Sequence, residues 1–370
     1  EHSLASDTLF IDASRSVAHT WLSSWINTLG ISAIELSSGC EALNRGCGAG
    51  ELSPTDEWSW ADMMNGDFGH VLLDHLGEII AKEGGKPAYW RAGGIIAAAL
   101  DGDGDRCLLI ELKEDESGLS VVDGDKMADA LIRAGNNLPN QNGNWTLAAS
   151  IESDIGLLSS LSRFDQTVRG IQTAVGDRWL SAALQPEGAP RRFLFGNILP
   201  TCIGCEDSGH IVLPVAHPSL ENHWGLVGDG IATMLAVLCA MGFLNTYSDS
   251  PEKFVNGWKM RKSVDKTKRS LWDGKNEYST RVETLVNDWF SKQLTLDYWK
   301  RNEVVGETSL LMIEAEHEGE LISLGVRNSG TQAKTNISLR MTSKIVKKLD
   351  YPPGDLVDLV DLLLTKLLVR

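Results

Sequence analysis

Along the 370-residue chain, short apolar runs alternate with segments of helical rhythm, and the character of that alternation changes twice. Residues 8–11 form an apolar run ending at Asp12, and residues 17–29 carry apolar positions at helical spacing until Gly30 stops them. Residues 31–36 read as a second strand. A run over 94–100 ends in an acidic, glycine-rich turn, and 107–112 with 119–122 predict a hairpin around Glu114-Asp115-Glu116-Ser117-Gly118. A helix over 126–133 closes this stretch.

Residues 134–145 are rich in Asn and Gly, the composition of a linker. The alternation then resumes, with strands expected at 146–150, 170–174 and 211–214 and helices at 155–163, 177–184 and 231–243. From about residue 251 a third rhythm begins, with basic helical segments first, strands at 309–314 and 321–326, and a terminal helix over 356–369. That helix is apolar on nearly every side except at Asp358, Asp361 and Lys366. Strands alternating with helices predict an α/β fold, and no short solenoid-type repeat is present.

With 42% hydrophobic and 23% charged residues, the balance is that of a globular protein, and the length suggests two or three domains. The net charge of −16 argues against a nucleic-acid or anionic membrane partner, because both need clustered Lys and Arg. It leaves an anionic substrate open, since a few local cations suffice for a phosphate. The longest apolar run, 231–244, falls short of the roughly 18 residues of a membrane span. No signal-peptide pattern opens the sequence, which starts at Glu1 rather than Met, so an upstream portion is expected to have been removed or not shown. The 6 scattered cysteines read as reduced thiols of a cytoplasmic protein, and the lone Cys202-x-x-Cys205 lacks the second pair a zinc site needs.

Three loops carry candidate chemistry. Asp101-Gly102-Asp103-Gly104-Asp105-Arg106 places three carboxylates at alternate positions, and the glycines let them converge on one hard cation such as magnesium. A calcium EF-hand is excluded, because its sixth and twelfth positions would be Arg106 and Leu112. A solvated acidic turn is the plain alternative, but three aspartates this close repel one another, which favours a bound cation. Arg327-Asn328-Ser329-Gly330-Thr331, with Lys334 and Thr335 behind, offers a guanidinium, two hydroxyls and a glycine for phosphate; by itself it is also ordinary turn composition. In Cys205-Glu206-Asp207-Ser208-Gly209-His210, Glu206 and Ser208 face the same side if the segment is extended, which suits adjacent sugar hydroxyls and equally suits a polar turn. His210 fits either a core position or a place beside a phosphate.

In this order the loops resemble those of the α-D-phosphohexomutase family. Asp101 to Arg106 is similar to its magnesium loop, Glu206 to His210 to its sugar-reading loop, and Arg327 to Thr331 to its phosphate loop, with Val175-Gly176-Asp177-Arg178 and Gly228-Asp229-Gly230 as further signatures. The resemblance implies two consecutive mixed α/β sheet domains and a smaller α+β domain, at about 1–137, 138–255 and 256–370, the family's second, third and fourth. It implies Mg2+ on Asp101, Asp103 and Asp105, and Arg106 orienting the reacting phosphoserine loop. It further implies that Glu206, Ser208, His210, Arg327, Asn328, Ser329, Gly330 and Thr331 hold a hexose phosphate or bisphosphate. Residues 43–49 and 173–178 look most like the phosphoglucosamine mutase branch, with the phosphomannomutase and phosphoglucomutase branches as alternatives. The family's Ser-His-Asn type loop, which carries the phosphoryl group, is not found in these 370 residues, and Gln332-Ala333 stands where many members have Glu-Pro. Two readings follow: an enzyme whose first domain lies elsewhere (a separate piece or a longer chain), or a non-catalytic relative that binds sugar phosphate or assembles with other chains or with copies of itself.

Overall fold

The computed structural model describes residues 3–136, 144–164, 168–185, 194–195, 200–247, 250–329 and 332–369. Gly330 and Thr331 lie outside the described residues, as does most of the expected linker.

A first sheet is built from β1 (Thr8–Asp12), β2 (Ser32–Glu35), β3 (Glu57–Ser59), β4 (Ile95–Leu100), β5 (Cys107–Leu112) and β6 (Gly118–Val122), in the order β2-β1-β4-β5-β6-β3. β1 runs parallel to β2 and β4, whereas β5, β6 and β3 join antiparallel, so the sheet is mixed. β4 is Ile-Ile-Ala-Ala-Ala-Leu and every residue is buried, as expected of a central strand covered on both faces. Helices α1 (Leu22–Thr28), α2 (Trp60–Asn65) and α3 (Val71–Glu83) belong to this part. α2 opens on a Ser59/Asp62 capping box, and α3 buries Leu72, Leu73, Leu76 and Ile80 before Gly84 closes it in the left-handed region. The single helix expected over 17–29 is interrupted: a 3-10 turn at Val17–Thr20 is followed by α1, with Trp21 at φ −137° between them.

α4 (Gly124–Asn136) leads to a second six-stranded sheet of β7 (Trp145–Ser150), β8 (Val168–Thr173), β9 (Leu194–Phe195), β10 (Cys202–Cys205), β11 (Ile211–Ala216) and β12 (His223–Gly228), ordered β8-β7-β10-β11-β12-β9. Its helices are α5 (Ile155–Ser159), α6 (Asp177–Leu184) and α7 (Gly230–Leu244).

The third sheet is antiparallel, β13 (Trp258–Asp265), β14 (Tyr298–Asn302), β15 (Leu310–His317), β16 (Glu320–Asn328) and β17 (Lys334–Met341), ordered β13-β17-β16-β15-β14. With α8 (Glu277–Ser291), α9 (Ser343–Val346) and α10 (Pro353–Leu368) it encloses a core around Phe290, Leu324, Val326, Leu339 and Leu364. The basic stretch expected to be helical is instead β13, paired with β17 from Trp258↔Met341 to Asp265↔Lys334. It is an edge strand, where exposed Lys and Arg are tolerated and discourage pairing with another chain.

By contacts the chain falls into two units: residues 1–148, 163–169 and 180–253 form one, and residues 149–162, 170–179 and 254–370 the other. Among the described residues no helix is long and apolar enough to cross a membrane.

Candidate functional site

Parallel pairing of β1 with β4 brings their C-terminal ends to one edge of the first sheet, the usual location for ligand-binding loops in such sheets. β4 runs directly into the acidic loop. Asp101 is buried, and its Oδ1 accepts the backbone N–H groups of Gly104 and Arg106, each at 3.1 Å. The Nε of Arg106 lies 2.9 Å from Asp101 Oδ2 and 3.7 Å from Asp105 Oδ1. Asp101, Asp103 and Asp105 each bring a carboxylate oxygen within 4.8 Å of the others, and no other such cluster of three occurs among the described residues. Asp105 Oδ1 is buried without a hydrogen-bond partner. An orphaned carboxylate oxygen beside two more, all hard donors, fits a divalent cation held by oxygen ligands.

The Glu206–His210 loop is fastened to this acidic loop within the same unit. The N–H of Cys107 donates to Gly209 O at 3.1 Å, Arg106 and His210 form an antiparallel bridge, and the N–H of Gly230 donates to Gly104 O at 2.8 Å. These approaches need glycine: at Gly209 (φ +91°) a Cβ would collide with Cys107 O, and at Gly230 with Arg106 O. His210 is buried with Nδ1 at 3.5 Å from Asp105 Oδ2 and Nε2 unpartnered. The segment is not extended but a turn closed by the Gly209 N–H on Glu206 O at 3.1 Å, and within it the Ser208 hydroxyl donates to Glu206 Oε2 at 3.4 Å.

Sequence reasoning missed a polar cluster after β1. Buried Asp12 accepts the N–H of Ser14 at 2.8 Å and of Gly48 at 2.6 Å, and Ser14 Oγ donates to Asn44 Oδ1. Ser14, Arg15 and Asn44 all have positive φ. The Asn44 amide stands against Gly102 of the acidic loop, where an added Cβ would lie 2.5 Å from its Nδ2. Burial pushes the Asp12 carboxyl above its ordinary value, against the opposing pull of those two N–H groups and of His70. The signal available in the sequence was the strand-terminal Asp12.

In the second unit, Arg327 is the next-to-last residue of β16 and is mostly buried, with Nε at 3.3 Å and Nη2 at 2.9 Å from Glu152 Oε1. Asn328 turns its amide inward, donating to Arg269 O and Trp272 O, each at 3.0 Å, and accepting from Thr335 Oγ1 at 3.1 Å. The Ser329 N–H donates to Lys334 O at 2.9 Å, and its Oγ accepts the N–H of Gln332 at 3.3 Å. Burial pushes the Glu307 carboxyl above its ordinary value, opposed by Arg327, the Val175 backbone and Arg178. A raised carboxyl contributes stability that is present below the ordinary carboxylate range and is lost as pH rises through the raised value. Comparing wild type with Glu307→Gln by thermal melts, the variant should therefore gain relative to wild type as pH rises above the ordinary carboxylate range; a constant difference would contradict the burial.

The profile of the phosphoglucomutase/phosphomannomutase alpha/beta/alpha domain III matches residues 123–259. Phosphoglucosamine mutase of Kineococcus radiotolerans is 34% identical over 167 residues, 45% of this chain and 29% of that protein. Phosphoglucosamine mutase of Leifsonia xyli subsp. xyli is 32% identical over 178 residues, 48% of this chain and 31% of that protein. The matches thus span about a third of the length of these relatives. Among solved structures, Aspergillus fumigatus N-acetylphosphoglucosamine mutase in complex with GlcNAc-6P and magnesium aligns with TM-score 0.58 at 14% identity, over 98% of this chain and 62% of that one. Mixed α/β sheets followed by a smaller antiparallel sheet are the architecture of phosphohexomutases. Residues 123–259 are thus similar to domain III of phosphoglucomutases and phosphomannomutases, and the fold of the chain is similar to that of the solved N-acetylphosphoglucosamine mutase.

Proposed function

We propose that this chain supplies the metal, sugar and phosphate loops of a phosphoglucosamine mutase-like enzyme. Such an enzyme moves a phosphoryl group between the 1- and 6-positions of a hexose phosphate through a bisphosphate. The observation that supports the reading is the fastening of the acidic loop to the Glu206–His210 loop through the Arg106–His210 bridge and the Cys107 N–H on Gly209 O, which ties the carboxylate cluster to the loop that carries Glu206 and Ser208. The division into domains at 1–137, 138–255 and 256–370, and a cytoplasmic setting, are part of the same proposal.

Asp101, Asp103 and Asp105 would hold Mg2+, which when bound neutralises charge on the transferring oxygens. Arg106 is held at Nε by Asp101, and its side chain, 44% exposed, is available to a phosphoserine loop. Glu206 accepts hydrogen bonds from sugar hydroxyls, and Ser208 donates or accepts beside it. Arg327 and Ser329, with Gly330 and Thr331, anchor the phosphate that is not reacting, so that remote binding energy positions the sugar.

The test is an assay of the full-length protein with Mg2+ and a trace of glucose 1,6-bisphosphate on the 1- and 6-phosphates of glucosamine, mannose and glucose. Turnover fastest with glucosamine phosphate is expected. Arg327→Ala should weaken hexose-phosphate binding by about 10- to 100-fold, the value of charged hydrogen bonds, and also lower the melting temperature, because it removes the partner of the Glu152 carboxylate. Hexose-phosphate binding without turnover would make the chain a ligand-binding relative, and neither binding nor turnover would overturn the proposal.

A further inference from the structure

Three arginines of the third sheet converge on one short turn, residues 152–153, between β7 and α5. Arg261, on β13, has Nη1 at 3.5 Å from Glu152 Oε2 and donates through Nη2 to Glu152 O at 2.9 Å. Arg340, on β17, is buried and donates through Nη1 to Ser153 O at 2.6 Å and through Nη2 to Ser323 Oγ at 2.9 Å. Arg327, on β16, gives both Nε and Nη2 to the single oxygen Glu152 Oε1. The turn is itself fixed, because Asp154 Oδ1 accepts the N–H of Gly156 at 2.7 Å and of Gly257 at 2.9 Å. Glu152 is therefore held from several sides, and its carboxylate reaches Arg327 from a rigid support.

That contact is geometrically particular. A guanidinium binds an oxyanion through its Nε–Nη edge or through its two Nη ends. Glu152 occupies the Nε–Nη2 edge and leaves Nη1 facing away from the carboxylate. It also places a negative charge, 17% exposed, against a cation that is equally shielded, where charges are felt more strongly than at an open surface.

We propose that Glu152 is a positioning residue of the phosphate site. It fixes which end of Arg327 meets the phosphate, and its charge holds the affinity for a phosphate monoester below what the arginines alone would give. The inference rests on the assignment of Arg327 to phosphate binding. It has a use in a mutase, whose bisphosphate must leave this anchor and return in the opposite sense, because an anchor held by unopposed arginines would release it slowly.

The test measures inorganic phosphate and glucosamine 6-phosphate binding by calorimetry on wild type, Glu152→Gln, Glu152→Asp and Arg327→Ala. Glu152→Gln keeps the shape and an acceptor but removes the charge. It should bind both ligands about 3- to 10-fold more tightly, as expected for loss of one partly shielded like charge. Its melting temperature should also rise more steeply with added phosphate than that of wild type. Glu152→Asp keeps the charge but is one methylene short of the Arg327 edge, and should bind no more tightly than wild type. A merely structural Glu152 would lower stability without tightening binding. Equal or weaker binding by Glu152→Gln overturns the inference. If Arg327→Ala binds phosphate as wild type does, the assignment of the site fails instead.

Discussion

Asp101→Asn should lower the affinity for Mg2+ or Mn2+ by on the order of a hundredfold or more, the largest functional effect expected from one substitution here. The variant loses a carboxylate of the cluster and disturbs what arranges the other two. Asp101 Oδ1 accepts the N–H groups of Gly104 and Arg106, so it sets the path of the loop that carries Asp103 and Asp105. Oδ2 faces the Nε of Arg106 at 2.9 Å, and an amide can present an acceptor to only one of these two sets of donors. If its oxygen stays on the backbone N–H groups, its NH2 meets Arg106 Nε donor to donor, and the guanidinium is released from the loop. The accompanying stability loss is about 1–3 kcal/mol, because Asp101 is buried and leaves a donor unsatisfied. Asp103 is exposed, so Asp103→Asn should weaken metal binding at almost no cost in stability. Calorimetric titration with both cations, beside denaturant unfolding, separates the two effects. Unchanged metal affinity in Asp101→Asn would mean that the carboxylates do not form the site.

What the sequence disclosed followed from how local each signal was. β4 and the acidic turn were legible because an unbroken apolar run and three alternating aspartates are contiguous. The terminal helix and α7 were legible for the same reason. β13 was misread because Lys259, Arg261 and Lys262 suggest a solvated helix, and only pairing with β17 at the sheet edge makes them a strand. α3 was passed over although Leu72, Leu73, Leu76 and Ile80 form its buried face, because nothing chemically distinctive surrounds them. Trp21 broke the expected first helix through a backbone angle that no composition rule anticipates.

The site divides similarly. Each loop announced its own donors, but not what the donors touch. That His210 lies 3.5 Å from Asp105 depends on a bridge between residues about a hundred positions apart. Glu152 and Arg327 are separated by 175 positions, and nothing near Glu152 in sequence marks it as the partner of that arginine. Asn44 reaches Gly102 only because β1 and β4 end side by side. Long-range placement of this kind is decided by sheet order and by close backbone approaches, which single-sequence patterns do not encode.

Gly124→Ala tests such a backbone approach directly. Gly124 opens α4, and its N–H donates to Asp207 O at 3.3 Å. A Cβ there would overlap Glu206 O and come within 2.9 Å of Glu206 C and 3.2 Å of Gly209 N. These are backbone atoms of the Glu206–His210 loop, so no rotamer change can relieve the overlap. Nor can the loop simply retreat, because Gly209 O is tied to the N–H of Cys107 and Gly209 already sits at φ +91°. Helix propensity favours alanine by up to about 1 kcal/mol, while overpacking against fixed backbone costs about 1–3 kcal/mol or more. The overlap should win, lowering unfolding free energy by about 2 kcal/mol and weakening hexose-phosphate binding as Glu206 and Ser208 are displaced. Gly50→Ala, with nothing within 4 Å of the added carbon, is the matched control and should behave as wild type. Denaturant unfolding and sugar-phosphate titration of the two variants decide the matter. If Gly124→Ala is as stable as Gly50→Ala and binds as well, the start of α4 does not press against the Glu206–His210 loop as closely as the backbone places it.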